Sequence, residues 1–190
     1  MRLSLLHEGE KELISYIDLS KISQKTDYSC GPASLLAVVQ YFRPGTDLGE
    51  DELIEIANTC SKHGTSPHNL VKAGNKLGLK MKSQRMTIDD VKKCLDNGRL
   101  VILNFQAWYP NNNYSKYDSG HYAIAIGYDN KGIVFEDPAL NSHKGYLTFK
   151  ELDRRWHGGT GDNKVDHYGI IVNKPTQLSD TRRVNIRPIK

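Results

Sequence analysis

Four residues of this chain have the types and the spacing of a site built around a cysteine nucleophile. An amide side chain lies six residues before a cysteine, and a carboxylate follows a histidine by sixteen residues. A thiolate can attack carbonyl carbon, an imidazole can carry the proton, a carboxylate can orient the imidazole, and an amide N–H can stabilise the oxyanion. We predict these roles, in that order, for Cys30, His121, Asp137 and Gln24.

The sequence around Cys30 predicts a nucleophile at the start of a helix. Apolar residues recur at helical spacing from Leu35 to Phe42. Pro32 suits the first helical turn, because the N–H that proline lacks would have no helical partner there. The positive end of the helix dipole and a neighbouring imidazole both favour the thiolate of Cys30 over the thiol.

His121 and Asp137 flank a predicted β-hairpin. Residues 122–128 and 133–135 are predicted as two short strands, joined by the turn-like sequence Asp-Asn-Lys-Gly at 129–132. In an antiparallel hairpin the start of the first strand lies beside the end of the second. We therefore expect the imidazole and the carboxylate to be neighbours.

The loop before His121 supplies the candidate substrate-binding residues. It is rich in aromatic and amide side chains, which suit recognition of a peptide backbone, and irregular loops often carry function. We predict substrate contacts at Trp108, Tyr109 and Gly120. A poorly ordered surface loop is the alternative interpretation, and the residues alone leave both open.

Two other motifs do not support a bound group. Cys60, His63 and His68 resemble part of a zinc site, but a structural zinc site needs a fourth ligand, which is missing. The glycine-rich segment 158–161 lacks the lysine of a phosphate-binding loop, so it is predicted to be a flexible connection. We predict that the protein has no metal and no cofactor.

Composition and charge narrow the class of protein. The chain has 190 residues, of which 38% are hydrophobic, and this predicts one globular domain over residues 1–173. Its three cysteines imply no disulfide framework. The net charge of +4 resides in a basic C-terminal tail, residues 174–190, so the neutral body predicts no nucleic-acid partner. The expected partner is a peptide or protein substrate, as the loop before His121 indicates.

The sequence contains no stretch with the character of a signal peptide or a membrane span. A cytoplasmic location is therefore the expectation, with export by a route that needs no N-terminal signal left open. The oligomeric state stays unknown at this level.

The hydrophobic periodicity predicts an α+β fold, in which a helical N-terminal half packs against an antiparallel β-sheet formed by the C-terminal half. A last short helix is expected before Trp156, with Thr148 and Glu151 as its capping pair. The other helices are predicted at residues 32–42, 50–58, 67–77 and 88–96, and the strands at 100–105, 122–128, 133–135, 145–148 and 167–172.

Several motifs together resemble those of the C39 and C39-like peptidases, a branch of the papain-like cysteine peptidases. The resemblance covers about residues 24–156. Its motifs are Gln24, Asp27-Tyr28-Ser29-Cys30-Gly31-Pro32-Ala33, Gly120-His121-Tyr122, Gly127-Tyr128-Asp129 and Asp137-Pro138-Ala139. Because no transporter or membrane span accompanies them, the chain looks similar to the stand-alone members of this family.

The resemblance implies a papain-like fold and a cysteine peptidase or hydrolase that cleaves a peptide or isopeptide bond through a thioester on Cys30. It implies a catalytic triad and an oxyanion hole formed by the four residues named at the outset. Two alternatives remain open: a deamidase or an acyl or peptidyl transferase that uses the same residues, and a non-catalytic peptide-binding domain on the same fold.

Overall fold

A computed structural model of the chain describes residues 16–108, 117, 119–141, 143–160, 163–173 and 186–188. The helices of this part are α1 Cys30–Phe42, α2 Glu50–Ile56, α3 Pro67–Lys76, α4 Ile88–Asp96 and α5 Phe149–Arg155. The strands are β1 Met81–Arg85, β2 Leu100–Gln106, β3 Gly120–Tyr128, β4 Gly132–Glu136, β5 Lys144–Thr148, β6 His157–Thr160, β7 Asn163–Asp166, β8 Tyr168–Val172 and β9 Ile186–Pro188.

Seven of these strands form one sheet, in the order β1-β8-β2-β3-β4-β5-β9. All neighbours are antiparallel except β5 and β9, which are parallel. The strands β6 and β7 form a separate hairpin. The strands β2 and β3 lie in the middle of the sheet and are almost wholly buried, so each is held by a paired strand on both sides.

The helix α1 is held on the sheet by packing of its apolar side chains. Leu35 and Val38 are fully buried, and Ser34 donates a hydrogen bond to the carbonyl of Tyr122 in β3 (3.3 Å). Full burial of one such aliphatic side chain stabilises a fold by about 1.5–3 kcal/mol. The position of the N-terminus of α1 is therefore set by the core and not by local turn geometry.

The predicted α+β fold class is confirmed. The helices and strands predicted between residues 32 and 172 are present, with boundaries that differ by at most two residues. The last helix, α5, has the predicted capping pair, because Thr148 accepts a hydrogen bond from the N–H of Glu151 (3.2 Å) and the Glu151 carboxylate accepts one from the N–H of Thr148 (2.9 Å).

The prediction of a flexible connection at residues 158–161 is wrong for residues 158–160, which belong to β6 of the β6–β7 hairpin. Glycine is a poor strand former, and the sequence therefore indicated a loop. The strand contains Gly158 because a Cβ at that position would overlap the Oδ1 of Asn104 in β2. The close approach of the hairpin to the sheet requires glycine there.

The strand β1 was not predicted, since it falls inside the helical half of the chain and four of its five residues are polar. Residues 186–188 of the predicted basic tail pair with β5, while the boundary between domain and tail at residue 174 stays a prediction. Within the described part of the chain, no helix is both long and apolar enough to cross a bilayer.

Candidate active site

Cys30 is the first residue of α1, and 8% of its surface is exposed. The Ser29 hydroxyl at the helix N-cap does not cap α1. It turns back onto Thr26 instead, accepting a hydrogen bond from its N–H (3.1 Å) and donating one to its carbonyl (3.1 Å). No side-chain cap therefore occupies the N–H groups in the first turn of α1, next to the thiol.

The residue after the cysteine must be small. A Cβ added at Gly31 would lie 3.0 Å from the Thr65 hydroxyl and 3.3 Å from the ring of Tyr122. Tyr122 in turn donates a hydrogen bond to the Thr65 carbonyl (3.0 Å). The glycine thus allows the start of α1 to pack closely on β3 and on the loop before α3.

His121 and Asp137 are in contact, as the predicted hairpin implied. The His121 Nε2 lies 2.7 Å from the Asp137 Oδ1, and both side chains are buried. The backbone N–H of Ala139 donates a second hydrogen bond to the same carboxylate oxygen (2.9 Å). Since Nε2 is engaged by the carboxylate, Nδ1 is the ring nitrogen that remains for the thiol of Cys30.

The surroundings of His121 stabilise its charged form. Burial opposes the imidazolium, but the charge of Asp137, its hydrogen bond and the interaction with Cys30 outweigh burial and raise the pKa of His121 to about 10. At neutral pH the histidine is therefore protonated. A protonated imidazole hydrogen-bonded to a thiol is the arrangement that stabilises a thiolate.

Two aromatic rings border the imidazole. Phe105 and Trp108 meet it edge-on, with ring centroids 5.8 Å and 5.5 Å from that of His121. Trp108 is 46% exposed and has a left-handed backbone (φ 65°), which is strained for a bulky residue. This strain is compatible with a role of the indole at the site, since strained residues cluster at functional positions.

Gln24 lies between the loop that precedes Cys30 and the turn that follows Asp137. Its backbone N–H donates to the Pro138 carbonyl (2.9 Å), and its Nε2 donates to the Thr26 carbonyl (2.7 Å). An amide nitrogen has two hydrogens, so the second stays for another acceptor. The Gln24 Oε1 is buried and has no hydrogen-bond partner among the described residues.

A cleft of about 380 Å³ opens beside the thiol. One wall is the loop of residues 61–65, and β3 contributes Gly120 and Tyr122. Of the predicted substrate-binding residues, Gly120 lines this cleft, Trp108 contacts His121 at the site, and Tyr109 lies outside the described residues. Their role in substrate binding stays a prediction.

Sequence reasoning did not select two further residues that line the cleft. Tyr117 donates a hydrogen bond to Asp166 (2.9 Å), and its ring contacts that of His157 at a tilt of 59°, with centroids 4.7 Å apart, so the β6–β7 hairpin holds it in place. Asn104 projects from β2. The two amides of an otherwise apolar strand, Asn104 and Gln106, were the signal that could have identified it, whereas nothing in the sequence links Tyr117 to the hairpin.

The predicted absence of a metal stays a prediction. Cys60 pairs with Gly64 across a tight turn, and in the part of the chain that the structure describes, no three acidic, histidine or cysteine side chains converge on one point. The prediction that no cofactor binds also stays a prediction.

The fold and the site together define a peptidase-like domain of the α+β, papain-like class. The model of the Peptidase_C39 like family matches residues 16–164 of the chain. The chain therefore belongs to the Peptidase_C39 like family, as its motifs indicated.

The chain also has a relative in sequence and shares its fold with solved structures. An uncharacterized protein of Methanothermobacter thermautotrophicus is 29% identical over 119 residues, which are 63% of this chain and 71% of that protein. A solved Bacillus anthracis structure, described as that of a C39-like peptidase, has a TM-score of 0.64 at 18% identity and covers 88% of this chain and all of its own.

A double-glycine-motif protease from an AMS/PCAT transporter, solved in complex with its leader peptide, has a TM-score of 0.62 at 20% identity. It covers 85% of this chain and 95% of its own. At these identities the solved structures show the shared fold.

Proposed function

We propose that this chain is a cysteine peptidase that cleaves a peptide or isopeptide bond through a thioester on Cys30. The observation that carries the proposal is the buried row of three groups at the start of α1. Asp137 contacts His121 at 2.7 Å, and the interaction of His121 with Cys30 helps to raise the pKa of the imidazole. Thiol, imidazole and carboxylate in this order form the arrangement that activates a thiol nucleophile.

The reaction follows from these positions. The Cys30 thiolate attacks the carbonyl carbon, and the carbonyl oxygen becomes an oxyanion. The His121 imidazolium gives its proton to the leaving amine as the carbon–nitrogen bond breaks, which leaves an acyl thioester. The neutral imidazole then takes a proton from water, hydroxide attacks the thioester, and the acid product leaves as the ion pair is restored.

Two N–H groups are the proposed donors that stabilise the oxyanion. The backbone N–H of Cys30 has no intrahelical partner, because Cys30 is the first residue of α1. The second hydrogen of the Gln24 Nε2 is the other donor, held in place by the Thr26 carbonyl. Each such donor contributes about 3–4 kcal/mol to the transition state.

The proposed substrate class is a peptide. The relative solved with its leader peptide binds a peptide on this fold, and the cleft beside Cys30 is lined by the loop of residues 61–65 and by Gly120 and Tyr122 of β3. A deamidase or an acyl transferase would use the same thioester with a different leaving group or acceptor. Product mass separates the three: cleavage, a gain of about one dalton, or an adduct.

Iodoacetamide labelling tests the proposal, since the three cysteines of the chain act as mutual controls. We expect Cys30 to be alkylated rapidly well below pH 8, because the imidazolium stabilises its thiolate. Exposed Cys60 is the accessible reference thiol, and Cys94 should resist labelling because burial raises its pKa. Mass spectrometry of peptic fragments measures all three rates. Labelling of Cys30 no faster than that of Cys60 would overturn the proposal.

Replacing Gln24 with alanine should lower kcat about a hundredfold or more, because one oxyanion donor is removed. The rate of Cys30 alkylation should hardly change, since alkylation by iodoacetamide forms no oxyanion. Steady-state kinetics and labelling of the same preparation measure both quantities. A Gln24→Ala variant with unchanged kcat would show that Gln24 is not an oxyanion donor.

Asp137→Asn should lower the alkaline limit of the activity, while the maximum activity should change less. The charge of Asp137 contributes to raising the pKa of His121, and an amide can orient the ring but cannot stabilise its charge. Activity requires the imidazolium, so the wild-type alkaline limit should lie near pH 10. In the variant that limit should fall by about 1–3 pH units. A profile of kcat/KM from pH 5 to 10.5 measures it, and coincident alkaline limits would contradict the electrostatic role.

A further inference from the structure

Two amide side chains lie on the same face of β2, and only one of them has its hydrogen bonds satisfied within the chain. Gln106 donates to the His157 carbonyl (3.0 Å) and accepts from the Ser119 N–H (3.0 Å). Asn104, two residues earlier, has a buried Oδ1 with no hydrogen-bond partner among the described residues. An unsatisfied buried polar group costs about 1–3 kcal/mol, so Gln106 has a structural explanation and Asn104 does not.

Asn104 lies at the cleft that contains the thiol. It is directly opposite Tyr122 in the β2–β3 register, and opposite residues of an antiparallel pair project to the same face. Asn104, Tyr122 and Cys30 line the same cleft. The unsatisfied amide therefore borders the space in which a substrate would lie.

Two glycines enclose the amide. A Cβ at Gly120 would lie 3.6 Å from the Asn104 Oδ1 and 3.8 Å from its Nδ2, and a Cβ at Gly158 would overlap Oδ1. The terminal torsion of an asparagine is soft, so either end of the amide can turn towards the cleft. The absence of a side chain at Gly158 leaves room for the Asn104 amide next to the hairpin.

We propose that Asn104 binds a main-chain peptide group of the substrate. The Nδ2 donates to a substrate carbonyl, and the Oδ1 accepts a substrate N–H when the amide turns. A peptide group matches this site because it is flat and neutral and carries one donor and one acceptor. This inference rests on the proposed peptidase function and assigns a substrate contact to a residue outside the catalytic set.

Two reagents with the same reactive group test this contact without a known substrate. Iodoacetamide carries no peptide chain, whereas iodoacetyl-glycyl-glycine amide presents two extra peptide groups and no side chain. We define the selectivity as the second-order rate constant for Cys30 alkylation by the peptide reagent divided by that for iodoacetamide. The wild-type selectivity should exceed that of Cys60 in the same molecule.

Asn104→Ala should lower the selectivity about 2- to 13-fold, as expected for one hydrogen bond, with iodoacetamide labelling unchanged. Asn104→Leu, which fills the space, should do the same, and Gly158→Ala should act similarly by displacing the amide. Asn75→Ala serves as the matched control, because Asn75 is hydrogen-bonded to both backbone groups of Met81 away from the cleft. Its selectivity should equal that of the wild type.

The outcomes are distinct. If the selectivity is the same in wild type, Asn104→Ala and Asn104→Leu while Cys30 remains highly reactive towards iodoacetamide, the Asn104 contact is refuted and the peptidase proposal stands. Slow labelling of wild-type Cys30 by iodoacetamide refutes the peptidase proposal and, with it, the inference. A fall in selectivity in both Asn104 variants, with melting temperatures close to that of Asn75→Ala, supports the contact.

Discussion

Replacement of Cys30 by alanine should reduce peptide turnover by about 10⁵-fold or more, to the background of the assay. The thiolate is the only group in the proposed reaction that forms a bond to the substrate, and loss of a nucleophile removes the whole covalent route. The substitution deletes a single sulfur atom at the edge of the core. We therefore expect the fold to be retained, with a loss of stability of about 1 kcal/mol.

The measurement is product mass after incubation with a peptide library derived from a whole proteome, followed by kinetics on the best substrate. Cys60→Ser is the matched control, because it removes an exposed thiol from the same molecule and should leave turnover at the wild-type level. Thermal melting of both variants excludes unfolding as the cause. Full turnover by Cys30→Ala would show that Cys30 is not the nucleophile.

The same library separates the alternative functions. If the wild type produces no cleaved peptides but converts glutamine to glutamate or forms adducts, and Cys30→Ala does neither, then the thioester chemistry is correct. The proposed leaving group is then wrong in the case of deamidation, and the proposed acceptor is wrong in the case of adducts. If Cys30 is not reactive and peptides bind without conversion, the non-catalytic binding domain replaces the peptidase.

Substitution of His121 should have the second-largest effect, because it removes two functions at once. Without the imidazolium, Cys30 loses the charge that stabilises its thiolate, and the leaving amine loses its proton donor. We expect turnover to fall by about 10⁴-fold or more and the rapid labelling of Cys30 below pH 8 to disappear. The pKa of about 10 for His121 predicts that this loss persists across the neutral range.

His121→Ala also leaves the buried carboxylate of Asp137 without its partner, and an uncompensated buried charge destabilises a protein by about 3–5 kcal/mol. His121→Gln is therefore the better variant, since its amide can still donate to Asp137 but cannot carry a proton at neutral pH. Labelling from pH 5 to 9 and melting temperature are measured on both. Rapid labelling of Cys30 at pH 6 in folded His121→Gln would contradict the ion pair.

The helices and the hairpin could be predicted because their signals are local. Apolar spacing predicted α1, Thr148 with Glu151 predicted the start of α5, and α4 begins and ends where the sequence indicated. The contact between His121 and Asp137 could also be predicted, because a short turn between two strands constrains the register of their ends. The fold class followed from the same periodicities.

Other features depended on contacts between distant parts of the chain. The strand β1 has a polar sequence and exists because β8 supplies its hydrogen-bonding edge. The β6–β7 hairpin was mistaken for a loop, because the reason for Gly158 is a side chain on β2. The orientation of Trp108 against His121 likewise depends on a strained backbone that no local pattern indicates.

The sequence by itself determined the four candidate catalytic residues, the α+β class and the family resemblance, since each is encoded in residue types and short spacings. Only the tertiary structure decided how the site is enclosed. It showed that Gly31 permits the close packing of α1, that the pKa of His121 is raised to about 10, and that Asn104 borders the cleft with an unsatisfied amide. Packing, burial and electrostatics arise between residues far apart in sequence, and the order of residues alone does not specify which of these come together.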